Sequence, residues 1–426
     1  MKDKNTQAAV IEIVPFSEHI AAAKRWQAIE KSISNTGLTN SWPWIKTWLD
    51  HYSDTVQPTF AFGKLDDQPI GAALITKVTH RIGGILIPSI HLGTAGEPEK
   101  ETTWVECNQL LVAPEHLDAF ALALIQTLRQ QFRWSRLRLD GFVANHADAL
   151  IRSGANVGLQ FTVKEERKSP AFDFQKAKKE EYKDTISALG NKTRYNIRRS
   201  MRLFDSNFGP QKIEWAETSE QAKDILRELI ELHEKRWQHV KMPGAFQTDR
   251  VKRYHEDLID ALSLWPQGSL IIFRIKQGET TIGCLFNFID KNGHILFYKS
   301  GFPLFEDNRL KPGLVTHVVC MEECKRRALL EEEKCRQRGL SEEECRKSRL
   351  LKYDFLAGEN IYKEQLSNTA SNLTWATAGQ GLRAWLIDKV RLLFQLVENL
   401  YRVTSDKAQV PALSHESSTD PTGAYR

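Results

Sequence analysis

Between residues 269 and 313 the chain reads as three strands and the start of a helix in immediate succession. Ser269 to Ile275 is an apolar, strand-forming run, and Gln277-Gly278 supplies a turn. Thr281 to Ile289 is a second strand, Asp290-Lys291-Asn292-Gly293 a second turn, and His294 to Ser300 a third strand. A helix opens near Pro312-Gly313, where proline suits the first helical turn and glycine lets another group approach the backbone. Upstream, Thr218-Ser219 can cap a helix running to about His239, with Ile225, Leu226, Leu229, Ile230 and Leu232 as its apolar stripe. A helix, a three-stranded meander and a second helix commit this half to an α+β arrangement.

The first half echoes that order. Pro58 to Leu65 and Pro69 to Val78 read as a hairpin around Asp66-Asp67, and Gly84 to Leu92 as a third strand. Residues 17 to 51, with Trp42, Trp44 and Trp48, read as helix. His116 to Phe132 has helical spacing, and Arg136 to Phe142 alternates as a half-buried strand does. The hairpins end alike, in Ile70-Gly71-Ala72-Ala73-Leu74 and Ile282-Gly283-Cys284-Leu285, and a tryptophan-bearing helix precedes each. Internal duplication is the economical reading; the alternative is two unrelated hairpins. A length of 426 residues suits two or three domains.

No apolar run approaches the roughly 18 residues of a membrane span, and the N-terminus lacks a signal-peptide core, so the expectation is a cytoplasmic protein with reduced cysteines. A net charge of +5 is mild for this length and does not by itself point to nucleic acid. Between the halves, however, Arg194, Arg198 and Arg202 fall at helical spacing and form one stripe, which could grip phosphates or simply be a solvated linker face. From Glu322 to Leu350 the chain is highly charged. Gly339 suits a helix stop, and Ser341 with Glu344 a capping box, so a helical hairpin is expected there. Its cysteines lack the Cys-x-x-Cys or His/Cys spacing of a metal site, and no metal is expected. Leu382 to Val403 is amphipathic at helical spacing. The first eight residues and the Ser/Thr/Pro-rich tail from 404 to 426 read as disordered.

The most specific stretch is Tyr353-Asp354-Phe355-Leu356-Ala357-Gly358-Glu359-Asn360-Ile361-Tyr362-Lys363. A short strand brings Asp354 to its end, Gly358 permits a tight turn, and Tyr362 and Lys363 follow. Carboxylate, phenol and ammonium can supply a base, a donor and a charge clamp; equally, Asp354 and Lys363 could be a structural ion pair beside a turn. No Gly-x-Ser-x-Gly elbow, Walker loop or His-Glu-x-x-His pattern is present.

This stretch resembles the closing signature of CelD-type GNAT acyltransferases, associated with cellulose and exopolysaccharide biosynthesis. Further blocks are similar to that family in the same order across about 169–376. They are Ser169-Pro170-Ala171-Phe172-Asp173-Phe174, Gly190 to Arg199, Leu232-His233-Glu234-Lys235-Arg236-Trp237, Tyr298-Lys299-Ser300-Gly301-Phe302 and Lys311-Pro312-Gly313. The N-terminal half matches more loosely, through Trp44 to Trp48 and Asn108-Gln109-Leu110.

The resemblance implies tandem GNAT-like α+β halves: 1–168 the first, 169–210 a connecting strand and Arg-rich helix, and 211–380 the second, with 322–350 inserted. After these come an amphipathic helix over 381–403 and the tail. It implies acyl transfer from acyl-CoA (acetyl-CoA) to an amine or hydroxyl of a small-molecule or glycan-precursor acceptor. Asp354, Tyr298, Tyr362 and Lys363 would line the centre, with His233 a secondary base. Lys311, Gly313 and Leu314 would hold the CoA pyrophosphate at a helix N-terminus. Arg194, Arg198, Arg236, Trp237 and Gly358 would contact substrate. The usual GNAT phosphate loop, Arg/Gln-x-x-Gly-x-Gly/Ala, is missing at 311–314. Two rivals follow: a Fem-type transferase, which takes its acyl group from aminoacyl-tRNA, and a non-catalytic subunit of a polysaccharide synthase docking through 322–350.

Overall fold

The computed structural model describes residues 8–384 and 389, apart from 34–35, 83, 104–105, 265–269, 342–349 and 359. In the N-terminal half, β1 (Val10–Pro15), α1 (His19–Ser32) and α2 (Trp42–Tyr52) precede β2 (Gln57–Leu65), β3 (Gln68–Ile82), β4 (Ile85–Leu92) and β5 (Leu111–Val112). Next come α3 (Leu117–Gln131), β6 (Arg136–Val143), α4 (Ala144–Asn156) and β7 (Phe161–Asp173). After α5 (Phe174–Lys179) and α6 (Asn191–Phe208), the series recurs as β8 (Gln211–Trp215), α7 (Ser219–His239), α8 (Asp249–Ser263), β9 (Leu270–Gln277), β10 (Thr280–Ile289) and β11 (His294–Gly301). It ends with α9 (Pro312–Gln337), β12 (Lys352–Asp354), a short helix Ile361–Gln365 and β13 (Thr369–Gly379).

All strands join one sheet in the order β1-β2-β3-β4-β6-β13-β7-β12-β11-β10-β9-β8, with β5 against β3. Only β4–β6 and β11–β12 are parallel among these strand pairs, each joined by a crossover through a long helix, α3 or α9. The order is a palindrome except at its centre. There the last strand of each half pairs with the other half: β13 lies on β6, β7 lies on β12, and the two pair with each other. The expected division at residue 168 therefore falls inside β7.

Three apolar cores hold the layers. One lies under α1, α2, α7 and α8 and joins Trp48, Phe60 and Leu74 to Tyr254, Leu258 and Phe286, so it spans both halves. A second packs α3 and α4 on the opposite face of the first half, and a third packs α6 and α9 on that of the second.

Local signals explain most boundaries. Thr218 caps α7, its side chain accepting from Gln221 N–H while the Gln221 side chain returns to the Thr218 backbone. Asp66 and Asp67, both at positive φ, make the β2–β3 turn. The expected helix over 17–51 is instead two, because the chain turns extended at Ile33 and again around a 3-10 turn at Leu38–Asn40.

The first arm of the expected hairpin at 322–350 is helical, continuous with α9, and packs against the domain at its start. Cys324 lies in the core, Glu322 accepts from Thr185 N–H, and Arg327 stacks over Trp215 at 4.3 Å. The helix stops at Gly339, φ +70°. The second arm, the amphipathic segment beyond 384 and both termini lie outside the described residues. Cys335 is disulfide-bonded, against the expectation of reduced thiols, while Cys107, Cys284, Cys320 and Cys324 are free. Among the described residues no helix is long and apolar enough to cross a membrane.

Candidate active site

The parallel pairing of β11 with β12 ends at Leu296 opposite Asp354, while β11 runs on to Gly301. The equivalent opening in the first half, beyond His91 opposite Arg138, is filled by the chain itself. Asn108 bridges to Phe142, its amide donates to Leu92 O at 2.8 Å, and a Cβ on Gly93 would collide with it. The two helices that start beside these openings also differ. Neither has a side-chain cap, but the start of α3 carries Glu115 and Asp118, whereas α9 starts at Lys311-Pro312-Gly313 with no acidic residue in its first turn. Proline has no N–H, and the Lys311 N–H is taken by Ser200 Oγ at 2.8 Å, so the open donors are those of Gly313 and Leu314. Gly313 is half-buried beside Phe302, and the Leu314 side chain is buried. A helix N-terminus with a lysine and no carboxylate favours an anion.

Beside it the segment after β12 folds into a tight arch. Asp354 is 1% exposed and fully engaged. Its Oδ1 accepts from Ser169 Oγ at 2.5 Å and Leu356 N at 2.9 Å, and its Oδ2 from Lys352 Nζ at 2.9 Å. The alternative reading, a structural ion pair of Asp354 with Lys363, is replaced by one with Lys352, two residues away on the same strand face. Asp354 pins Leu356 at φ +57° and turns the Leu356 and Ala357 carbonyls inward. Lys363, 2% exposed, donates to both, at 3.2 and 2.6 Å. Gly358 is required twice: its φ is +133°, and a Cβ there would sit 3.0 Å from Lys363 Nζ. Burial pushes the Lys363 ammonium down to about 8, against the opposing pull of Glu106 and Asp354.

Glu106 and Lys299 were not singled out from the sequence. Glu106 belongs to the first half, yet its Oε2 accepts from Ala357 N at 2.7 Å, on the arch of the second half. Burial raises its pKa, partly countered by Lys363 and Lys299. Lys299 holds its ammonium over the Tyr298 ring at 4.8 Å, and burial, with the charge of Lys363 adding, brings it to about 8. Lys299 was legible as part of the Tyr298–Phe302 block. Nothing local marks Glu106, whose place depends on the loop between β4 and β5 crossing to the other half.

Other expected residues have settled partners. The Tyr298 hydroxyl lies 2.8 Å from Thr103 O and 3.0 Å from His255 Nε2, so it is engaged inward, and burial raises its pKa far above the usual phenol range. Tyr362 stacks on His317, 5.5 Å between ring centroids. His233 is not placed as a base. Its Nε2 accepts from Ala245 N at 3.1 Å, so Nδ1–H donates to Ser300 O at 3.2 Å, and burial lowers its pKa to about 4. It latches the loop after α7 to β11. Trp237 lies beside it, rings 5.8 Å apart, and Arg236 is exposed. Of the arginine stripe, Arg194 donates to Ser187 O and Asn191 Oδ1, while Arg198 and Arg202 are exposed on the outer face of α6. Among the described residues no group of three or more His, Cys, Asp or Glu side chains could hold a metal ion.

Residues 191–332 match the acetyltransferase (GNAT) domain family. No curated protein matches the sequence. Among solved structures, the chain resembles FemX at 11% identity and a TM-score of 0.52, over 83% of this chain and 95% of that one. A tandem GNAT protein from the clavulanic acid biosynthesis pathway aligns at 10% identity and a TM-score of 0.43, over 87% of this chain and 99% of that one. The fold is GNAT-like α+β.

Proposed function

We propose that this chain, which carries a GNAT acetyltransferase domain within a doubled GNAT-like fold, transfers an acyl group from acyl-CoA to an acceptor amine or hydroxyl. The observation that carries this is the uncapped start of α9 at Pro312-Gly313, next to the opening between β11 and β12, with a buried ammonium and a carboxylate beside it. Acyl-CoA would supply the activated carbonyl and a pyrophosphate. Lys311 and the Gly313 and Leu314 N–H groups fit the pyrophosphate in sign and place, although they offer fewer N–H donors than the usual glycine-rich loop.

The remaining roles belong to the chain's own residues. Glu106, whose second carboxylate oxygen has no hydrogen bond among the described contacts, takes the acceptor's proton. Burial, which raises its pKa, moves it toward the range of an effective base. Lys363 places positive charge where negative charge develops. Tyr362 lies on the short helix that carries Lys363 and is the candidate donor to the leaving sulfur. Asp354 acts through the arch, by aiming the carbonyls that hold Lys363. A glycan-precursor acceptor, and a place in cellulose or exopolysaccharide assembly, rest on the resemblance of the 353–363 signature.

The deciding measurement is calorimetric titration of acetyl-CoA into wild type and Gly313→Glu. The atoms nearest a Cβ at Gly313 belong to Phe302, at ordinary contact distances from 3.5 Å, so the variant should keep its fold and place a carboxylate at the anion site. Binding by wild type and loss of at least about tenfold in the variant is expected for a charge reversal at a helix N-terminus. Equal binding by both proteins removes the α9 start from the donor site.

A second reading, an aminoacyl-tRNA donor, draws on the likeness to FemX and on exposed Arg198 and Arg202, which make no ion pair among the described contacts. It requires that charged tRNA bind with steep salt dependence and that Arg198→Glu with Arg202→Glu flatten that slope.

A further inference from the structure

The acceptor side of the opening has an unbalanced set of charges. Lys363 Nζ holds the Ala357 carbonyl at 2.6 Å while Glu106 accepts from the Ala357 N–H at 2.7 Å, and Lys299 lies on β11 past the end of its pairing with β12, so that both ammoniums oppose the rise in the Glu106 pKa. Neither lysine forms an ion pair within 4.0 Å among the described residues. Lys363 is committed to the Leu356 and Ala357 carbonyls. Lys299 has no hydrogen-bond partner there at all, only the face of Tyr298. The other ionisable groups packed around it do not supply the missing negative charge. Asp354 is neutralised by Lys352, and His233 and His255 are held neutral, their pKa values lowered by burial and then by Lys299 itself. The two ammoniums share the single Glu106 carboxylate, and the second positive charge beside the opening is unfavourable unless a ligand brings an anion.

Resting on the acyl-transfer reading, we infer that the acceptor is an anionic amine, whose carboxylate or phosphate binds the Lys299 ammonium while its amino group faces Glu106. The distribution of charge explains the two-half construction of the site. Lys299 on β11 fixes the acceptor's anion, and Glu106, from the other half, receives the proton. In the transfer step the amine nitrogen bonds to the acyl carbonyl carbon and the carbon–sulfur bond breaks. The sulfur leaves with the electron pair, and the amine proton passes to the free Glu106 oxygen. A neutral amine could undergo the same step but would leave Lys299 uncompensated, so discrimination falls on the anion.

Saturation-transfer NMR with the full chain tests this without any donor. The probes are ethanolamine, glycine and O-phosphoethanolamine, which share a primary amine and differ in the anion. Glycine or phosphoethanolamine should bind and ethanolamine should not, and the better of the two identifies carboxylate or phosphate. Truncating one partner of a desolvated charge pair typically weakens binding by about 30-fold or more, and Lys299→Met should lose the anionic probe to that extent. Lys299→Gln provides a second variant if the methionine protein fails to fold. Equal binding of all three amines by wild type, or an undiminished preference in folded Lys299→Met or Lys299→Gln, overturns the inference. Acetyl-CoA titration of Lys299→Met separates the two readings. Intact CoA binding with lost anion selectivity supports both, whereas anion selectivity in a wild type that ignores CoA upholds the acceptor class and refutes the donor.

Discussion

Replacing Lys363 by methionine sets two effects against each other, and pH separates them. The ammonium makes two hydrogen bonds to carbonyls, at 3.2 and 2.6 Å, each worth about 1.5–3 kcal/mol for a charged donor. Against this, holding a 2% exposed lysine at about 8 rather than 10.5 corresponds to about 3 kcal/mol against the charged form. At pH 7 the two roughly offset, and Lys363→Met should stay folded within about 3 kcal/mol of wild type. The sign of the pH dependence follows from the folded pKa lying below the unfolded one. Below about 8 both states carry the proton and the folded state bears the full penalty. Between about 8 and 10.5 the unfolded state binds more protons, so wild-type stability rises with pH. Urea unfolding of both proteins at pH 7.5 and pH 10 should show wild type gaining about 2–3 kcal/mol on the variant. Loss of Lys363 also lifts Lys299 toward its ordinary range, which acts in the same direction. Turnover should move oppositely: wild-type rate falls as pH rises through about 8, and the variant is slower by about 10²–10³ in kcat. A stability gap that does not change with pH would refute the buried-ammonium argument. Unchanged turnover in the variant would refute the site.

Thr218→Ala removes the capping box of α7 and should lower unfolding stability by about 1 kcal/mol, with no change in CoA affinity. Replacing 331–348 by a short Gly/Ser bridge should leave a cooperative thermal transition. Starting the same deletion at Glu322 should abolish it, because Cys324 and Arg327 then leave the core and the Trp215 face.

What the sequence discloses here is what short-range physics decides. The Thr218 cap, the Asp66-Asp67 turn and the β9–β11 meander all lie within a residue or two of their expected positions, since each depends on neighbours along the chain. The break between α1 and α2 was legible in Asn35-Thr36-Gly37 and in Ser41 before Trp42-Pro43, and it was missed because the tryptophan cluster was given more weight than these stop and start signals. Lys352 as the partner of Asp354 was available from period-two alternation in Lys352-Tyr353-Asp354, but the nearby Lys363 competed for the role. Glu106 was beyond reach. Its hydrogen bond to Ala357 joins residues 251 positions apart, and no local pattern encodes that meeting. The same holds for the pairing of β13 with β6.

That pairing fixes an order of events during synthesis. Strand β6 is complete at residue 143, yet its partner β13 begins only at Thr369, so on the ribosome the first half waits, one edge unsatisfied, until nearly the whole described chain has emerged. Closing so distant a contact makes folding slow and late. It also makes the halves inseparable as gene fragments: a chain ending before Thr369 strands β6 and β7 with open edges prone to aggregation. Two fragments cut between the halves should become soluble only when produced together, each donating its last strand to the other.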